Sequence, residues 1–296
     1  MSLLFLLLLG ALVCVAAWGP GHHLEFAYRV YRSRRKTLSA AKSHLLRENR
    51  SAYFYGNIAA DIINFKAWGG HYNHCHRWTI VEDMQSHSET PAEEAFCLGY
   101  LSHLAADTIA HNHYVPYHMA RYGRSKSLGH VYWEMRADGY VPETRWQIVT
   151  ALKNDRTLDE LDELVNRTVP KKALSMRTNK LVFNHVLLIS ERDQWRRGVE
   201  RLHGMASAPL EKPFLEVFRR AAVARIRLAL TKGGIEKLHH IDTNGKAAQR
   251  HAWDIRKKLL RRITSPTRRR AESEVAAAPF LEGMETPPAN GGTPHW

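Results

Sequence analysis

Three residues able to hold a metal recur every four positions along an otherwise apolar stretch: His103, Asp107 and His111. Residues four apart share one face of an α-helix, so a helix here aims all three side chains in one direction. Leu101, Leu104, Ala105, Ala106, Ile109 and Ala110 surround them, which leaves little polar face and predicts burial. A buried row of two imidazoles and a carboxylate needs partners, because uncompensated polar groups and charges are costly there. A hydrogen-bonded core network is one answer. Metal is the more economical one, and imidazole with carboxylate suits zinc where thiolates are missing. A carboxylate between two imidazoles can also bridge two ions. His130 and Glu134 repeat the four-residue spacing, and nine of the 18 histidines fall between His71 and His130.

The surrounding pattern is all-α. Thr90-Pro91-Ala92-Glu93 reads as a helix start, with Thr at the cap, Pro in the first turn and Glu third in the helix. The spacing predicts a helix from there to about Asn112, breaking before Pro116, and another over Leu128–Val141 that stops at Pro142. Residues 22–48 read as helical, and residues 51–90 as loop with short helical pieces. Amphipathic segments cover 157–167, 181–203, 211–232 and 246–262, with no alternating strand among them. Pro266, the Arg268–Arg270 run, Pro279, Pro287-Pro288 and Gly291-Gly292 predict a disordered tail over 263–296. One helical domain over 18–262 is therefore expected.

Leu3 to Ala17 is an almost unbroken apolar run of 15 residues, short of the roughly 20 a membrane span needs. Val15-Ala16-Ala17 offers the small residues that a signal peptidase reads, so residues 1–17 are expected to be a cleaved export signal. An uncleaved membrane anchor is the alternative. The formal net charge of +14 favours polyanionic partners: phospholipid headgroups, nucleic acid or an acidic protein. Cys75 and Cys97 fit no zinc pair and are assigned no role.

Several stretches together resemble the zinc-dependent phospholipase C family. They are Trp18-Gly19-Pro20-Gly21-His22-His23, then Tyr55-Gly56-Asn57-Ile58-Ala59-Ala60-Asp61, and His74-Cys75-His76-Arg77-Trp78. Gly99-Tyr100-Leu101-Ser102-His103-Leu104-Ala105-Ala106-Asp107 and Gly129-His130-Val131-Tyr132-Trp133-Glu134 complete the set, which covers residues 18–140. The resemblance implies an all-helical fold, shared with single-strand-specific zinc nucleases, and up to three Zn²⁺ ions.

It also implies ligands. Trp18 is the family's first mature residue, whose free amine and carbonyl oxygen hold one zinc together with His23, or with His22 as the alternative. Asp107 bridges that zinc to a second, held also by His103, Asp61 and either His76 or His74, with His76 preferred. A third zinc takes His130, Glu134 and a histidine after Asp107. His111 continues the helical face and is preferred, while His113 matches the family's six-residue spacing. One departure is Ala60, where the family usually carries proline. The implied reaction is phosphodiester hydrolysis, with Asp61 the candidate for orienting the attacking water or taking its proton. Phospholipid at a membrane surface is the first substrate expected. Single-stranded nucleic acid is the second, and a catalytically silent metal-binding protein the third; no obligate protein partner is implied.

Overall fold

The computed structural model describes residues 18–63, 75–123, 128–169, 176–180 and 210–285, which are helical with no strand among them. The chain enters through α1 (Pro20–Thr37), α2 (Ala40–Glu48) and α3 (Arg50–Ile62). Next come α4 (Trp78–Ser86) and α5 (Pro91–Ile109), which runs through a π-helical turn at Ala110–Tyr114 into α6 (Val115–Tyr122). α7 (Leu128–Asp138), α8 (Glu143–Asn154) and α9 (Asp159–Thr168) follow, then α10 (Lys212–Ala229) and α11 (Gly234–Leu238). α12 (Lys246–Arg262) and α13 (Pro266–Ala277) close the described chain, with a 3₁₀ turn at Ala278–Leu281.

α5 is the central element, buried from Ala95 to Ile109 and packed against α3 on one side and α10 on another. The predicted start is borne out, since Thr90 and Glu93 form a reciprocal capping box. Two glycines set its closeness to α3. A Cβ at Gly56 would fall 2.1 Å from the Phe96 carbonyl oxygen, and one at Gly99 would fall 2.2 Å from that of Tyr53. Only hydrogen at both positions lets the two backbones touch. That contact brings the end of α3 beside the middle of α5, where the candidate ligands lie.

Three expectations change. Residues 22–48 divide into two helices, because Leu38 turns extended and the Ser39 side chain caps α2 by accepting from the Lys42 N–H. The loop expected over 51–90 contains a full helix, α3, whose Gly56 and Asn57 weaken the local signal while packing decides the outcome. Residues 263–285 of the expected tail fold as well. Ser265 caps α13, Pro266 occupies its first turn, and Ala277, Phe280 and Met284 are buried. α13 packs on α6 and α12, so apolar residues spaced beyond the arginine run find a ready-made surface. The segment 181–203 lies outside the described residues. No helix among the described residues is long and apolar enough to cross a membrane.

Candidate metal centre

His23 sits in the first turn of α1, which Pro20 opens and whose first carbonyl, that of Gly19, accepts from the His22 and His23 N–H groups. Trp18 anchors this end. Its indole is buried, stacked on Tyr114 with ring centroids 4.7 Å apart and set edge-on to Phe26. Asp61 lies in the last turn of α3, and His103 and Asp107 face it from α5. His76 enters on the segment before α4, which the Tyr100 hydroxyl pins by donating to the Cys75 carbonyl at 2.7 Å. The His76 carbonyl in turn accepts from Thr243 Oγ1 and from Asn244.

These five side chains meet in the buried interior. Donor atoms of His23, Asp61 and His103 fall within 4.8 Å of one another, and so do those of His76, His103 and Asp107. Each carboxylate is divided between two sides. Asp107 Oδ1 lies 3.3 Å from His23 Nε2, while its Oδ2 lies 3.3 Å from His76 Nε2 and 3.2 Å from His103 Nε2. Asp61 repeats the division at longer range, with Oδ2 3.9 Å from His23 and Oδ1 3.8 Å from both His76 and His103.

The hydrogen bonding is unusual for so buried a site. Neither oxygen of Asp107 and neither ring nitrogen of His23 makes a well-aligned hydrogen bond, although such groups are normally paired. His103 Nδ1 lies 2.9 Å from the Asn57 carbonyl, which can only accept, so the ring proton is on Nδ1 and the Nε2 lone pair faces inward. That lone pair stands 2.9 Å from His76 Nε2. Burial pushes the Asp107 carboxyl up, but the His103 and His23 imidazoles, where they carry a proton toward it, outweigh burial and hold it well below the usual carboxylate range. The arrangement concentrates lone pairs and negative charge in one buried place, the donor set a cation would take.

His22, one residue from His23, points elsewhere. Its Nδ1 lies 2.5 Å from Asp138, and its Nε2 accepts from Arg219 at 2.9 and 3.1 Å. Burial first, and then the Arg219 charge, hold its pKa well below the ordinary value. With both nitrogens engaged, His22 has no atom left for an ion.

The histidines after Asp107 also separate. The π turn at Ala110–Tyr114 adds a residue to the helical turn, so the i+4 row set by His103 and Asp107 does not continue unchanged. His111 Nδ1 lies 3.2 Å from the Gln249 amide nitrogen, a donor, which places the ring proton on Nε2. His113 has the opposite tautomer, with Nδ1 donating to the Phe280 carbonyl at 2.9 Å and Nε2 carrying the lone pair. Glu134 is buried on α7, tied to the π turn by the Tyr114 hydroxyl donating to the Trp133 carbonyl at 2.7 Å. His74 and the side chain of His130 lie outside the described residues. The roles of Asn57, Tyr100, Thr243 and Phe280 carry no signal in the residue pattern, because all four act through or upon backbone carbonyls.

An all-α molecule with a buried cluster of imidazoles and carboxylates defines a class of metal-dependent proteins. Within it, the chain belongs to the zinc-dependent phospholipase C family, whose model matches residues 22–179, more than half of the 296. That span contains every candidate ligand except Trp18. No curated protein and no solved structure matches the chain. Zinc is the metal the family implies, and the residues fit it: nitrogen and oxygen donors only, His103 held in the ligating tautomer, and Asp107 left without a well-aligned hydrogen bond.

Proposed function

We propose that the protein is a zinc-dependent hydrolase of phospholipids, releasing the phosphorylated headgroup as a phospholipase C does. The observation that carries this is Asp107, fully buried, with one oxygen beside His23, the other beside His76 and His103, and no well-aligned hydrogen bond on either. Zinc would be held by His23 with Trp18 on one side of Asp107, and by His76, His103 and Asp61 on the other. A third ion would take Glu134, His130 and His113. The tautomers favour His113 over His111, and the engagement of both its nitrogens removes His22.

Bound zinc supplies an acidified water and positive charge for the phosphoryl oxygens. The chain's own groups do the rest. Asp61 orients the attacking water and accepts its proton. Asn57 fixes the His103 ring through Nδ1, and Thr243 with Asn244 fixes the segment carrying His76. The surrounding aromatic core excludes bulk water, which strengthens every charge–charge contact within.

A phospholipid substrate is supported by where the charge lies. Between Lys246 and Val275 the sequence carries ten Lys or Arg against three acids, half of the net +14. The two exposed large apolar residues among those described, Leu260 at 48% and Val275 at 73%, are on the same two helices, α12 and α13. Basic residues beside isolated apolar ones suit an anionic lipid surface, at about 1 kcal/mol for each well-placed cation. Export with cleavage before Trp18 would free the amine that the Trp18 position requires.

The test is release of phosphocholine from phosphatidylcholine, with and without chelator, on material whose zinc content and N-terminal residue are measured in parallel. Chelator-sensitive release by a protein beginning at Trp18 is expected. Release of nucleotides from single-stranded nucleic acid in its place would move the substrate assignment. Bound zinc with neither activity would leave a silent binding protein.

A further inference from the structure

His113 is oriented from outside the segment that matches the family. The carbonyl that takes its Nδ1 proton belongs to Phe280, whose ring is fully buried, 6.0 Å from His251 of α12. The residues after Phe280 are held by an unusual clamp. Arg225 of α10, 2% exposed, donates through Nη2 to the Gly283 carbonyl at 3.2 Å and the Met284 carbonyl at 3.1 Å. Its Nη1 donates to Thr108 Oγ1 at 3.1 Å, on the residue next to Asp107. Burial lowers its pKa to about 10, so it stays cationic, and among the described residues its hydrogen-bond partners are these neutral oxygens, with none on Nε. A buried cation met by carbonyls and a hydroxyl in place of a carboxylate is a costly way to dock a chain end. It ties that end to the helix carrying the metal cluster.

We propose that residues 278–285 are a positioning strap for the third metal position, with Arg225 and Phe280 holding the Phe280 carbonyl against His113 and so fixing His113 in its ligating tautomer. The inference rests on the assignment of His113 under the proposed function. Outer hydrogen bonds of this kind are typically worth about 10–100-fold in metal affinity. The strap would make a segment remote in sequence part of the zinc site.

The experiment uses full-length zinc-loaded protein and reads zinc per chain and the rate of zinc release to a chelator, with circular dichroism to report folding. Arg225→Met and Phe280→Ala are expected to release one zinc about 10–100-fold faster while the others leave at the wild-type rate. Phe280→Leu, which keeps a buried anchor, should restore near wild-type retention. His113→Ala should lose the same single zinc. If His113→Ala keeps every zinc, the ligand assignment fails and the strap with it. If His113→Ala loses one zinc while folded Arg225→Met and Phe280→Ala lose none, the strap alone is overturned. Loss of all zinc in step with melting would likewise overturn it, since that is what a purely structural segment does.

Discussion

His22 and His23 are neighbours in the first turn of α1, equally buried, and they live in opposite electrostatic surroundings. His22 belongs to a closed chain of partners: Asp138 on one nitrogen and Arg219 on the other, then Glu216, Arg29, Glu25 and Arg145 in succession. Every link is an ion pair or a hydrogen bond between opposite characters. Beside it, His23 meets Asp107, Asp61 and the face of His103, whose ring centroid is 3.8 Å away, and neither of its ring nitrogens makes a well-aligned hydrogen bond. A self-sufficient polar network closes on itself. A cluster built for an ion leaves lone pairs converging on one place, and that incompleteness is the signature of function.

The largest expected effect comes from breaking the incomplete side. Asp107→Asn should lower zinc affinity by more than about 100-fold, beyond what loss of an outer hydrogen bond costs. It should abolish hydrolysis with it, as read by zinc content and phosphocholine release. A variant that keeps zinc and activity would make the cluster an ordinary polar core. Breaking the closed side should act on stability alone. Arg219→Met leaves His22 Nε2 without its donor and Glu216 short of a partner, inside a largely buried network. Denaturant unfolding should show a loss of about 3 kcal/mol, with zinc per chain unchanged. If zinc falls too, the two networks are one.

This division was only half legible in the sequence. The His103–Asp107 row, the capped start of α5 and the all-α fold follow from spacing, because a helical period is a local property. Which of two adjacent histidines enters the cluster is not local: it depends on α7 and α10 delivering Asp138 and Arg219 to His22. The preference for His111 rests on a continuous α-helix, and the π turn at Ala110–Tyr114 interrupts that row. The C-terminal segment looked like tail because its composition is basic and proline-rich. Its few apolar residues, Ala277, Phe280 and Met284, matter only once α6, α10 and α12 supply a surface to receive them.

A third kind of buried histidine sharpens the contrast. His118 faces neither carboxylate nor cluster; it is enclosed by the rings of Tyr114, Tyr117, Trp133, Phe214 and Phe218, with Nδ1 donating to the Tyr114 carbonyl at 2.6 Å. Burial lowers its pKa to about 3, against about 6.5 in an unfolded chain. Between those values the unfolded state binds more protons, so the stability it confers is present above about pH 6.5 and is lost as pH falls. The slope is about 1.4 kcal/mol per pH unit. His118→Asn keeps a donor near the Nδ1 position and removes the titration. Unfolding measured from pH 6.5 to 4 should then be less steep than in the wild type by up to that slope, while acid release of zinc, set by the ligands, stays the same. An unchanged slope would place the acid sensitivity in the cluster.

The smallest effect tests whether α5 merely carries the cluster or transmits to it. Thr90 Oγ1 accepts from the Glu93 N–H at 3.2 Å, and Glu93 Oε2 returns the bond to the Thr90 N–H at 3.0 Å. Thr90→Ala removes half of that box and should cost about 1 kcal/mol, read in denaturant unfolding. The cap lies some 20 Å along the axis from His103, at 1.5 Å per residue. Between them Gly99 is locked against α3, so fraying at Thr90 should stop there. Zinc content and release rate are expected to match the wild type. Faster zinc release would show that the Gly56–Gly99 contact does not isolate the cluster, and that helix stability and metal retention rest on the same backbone.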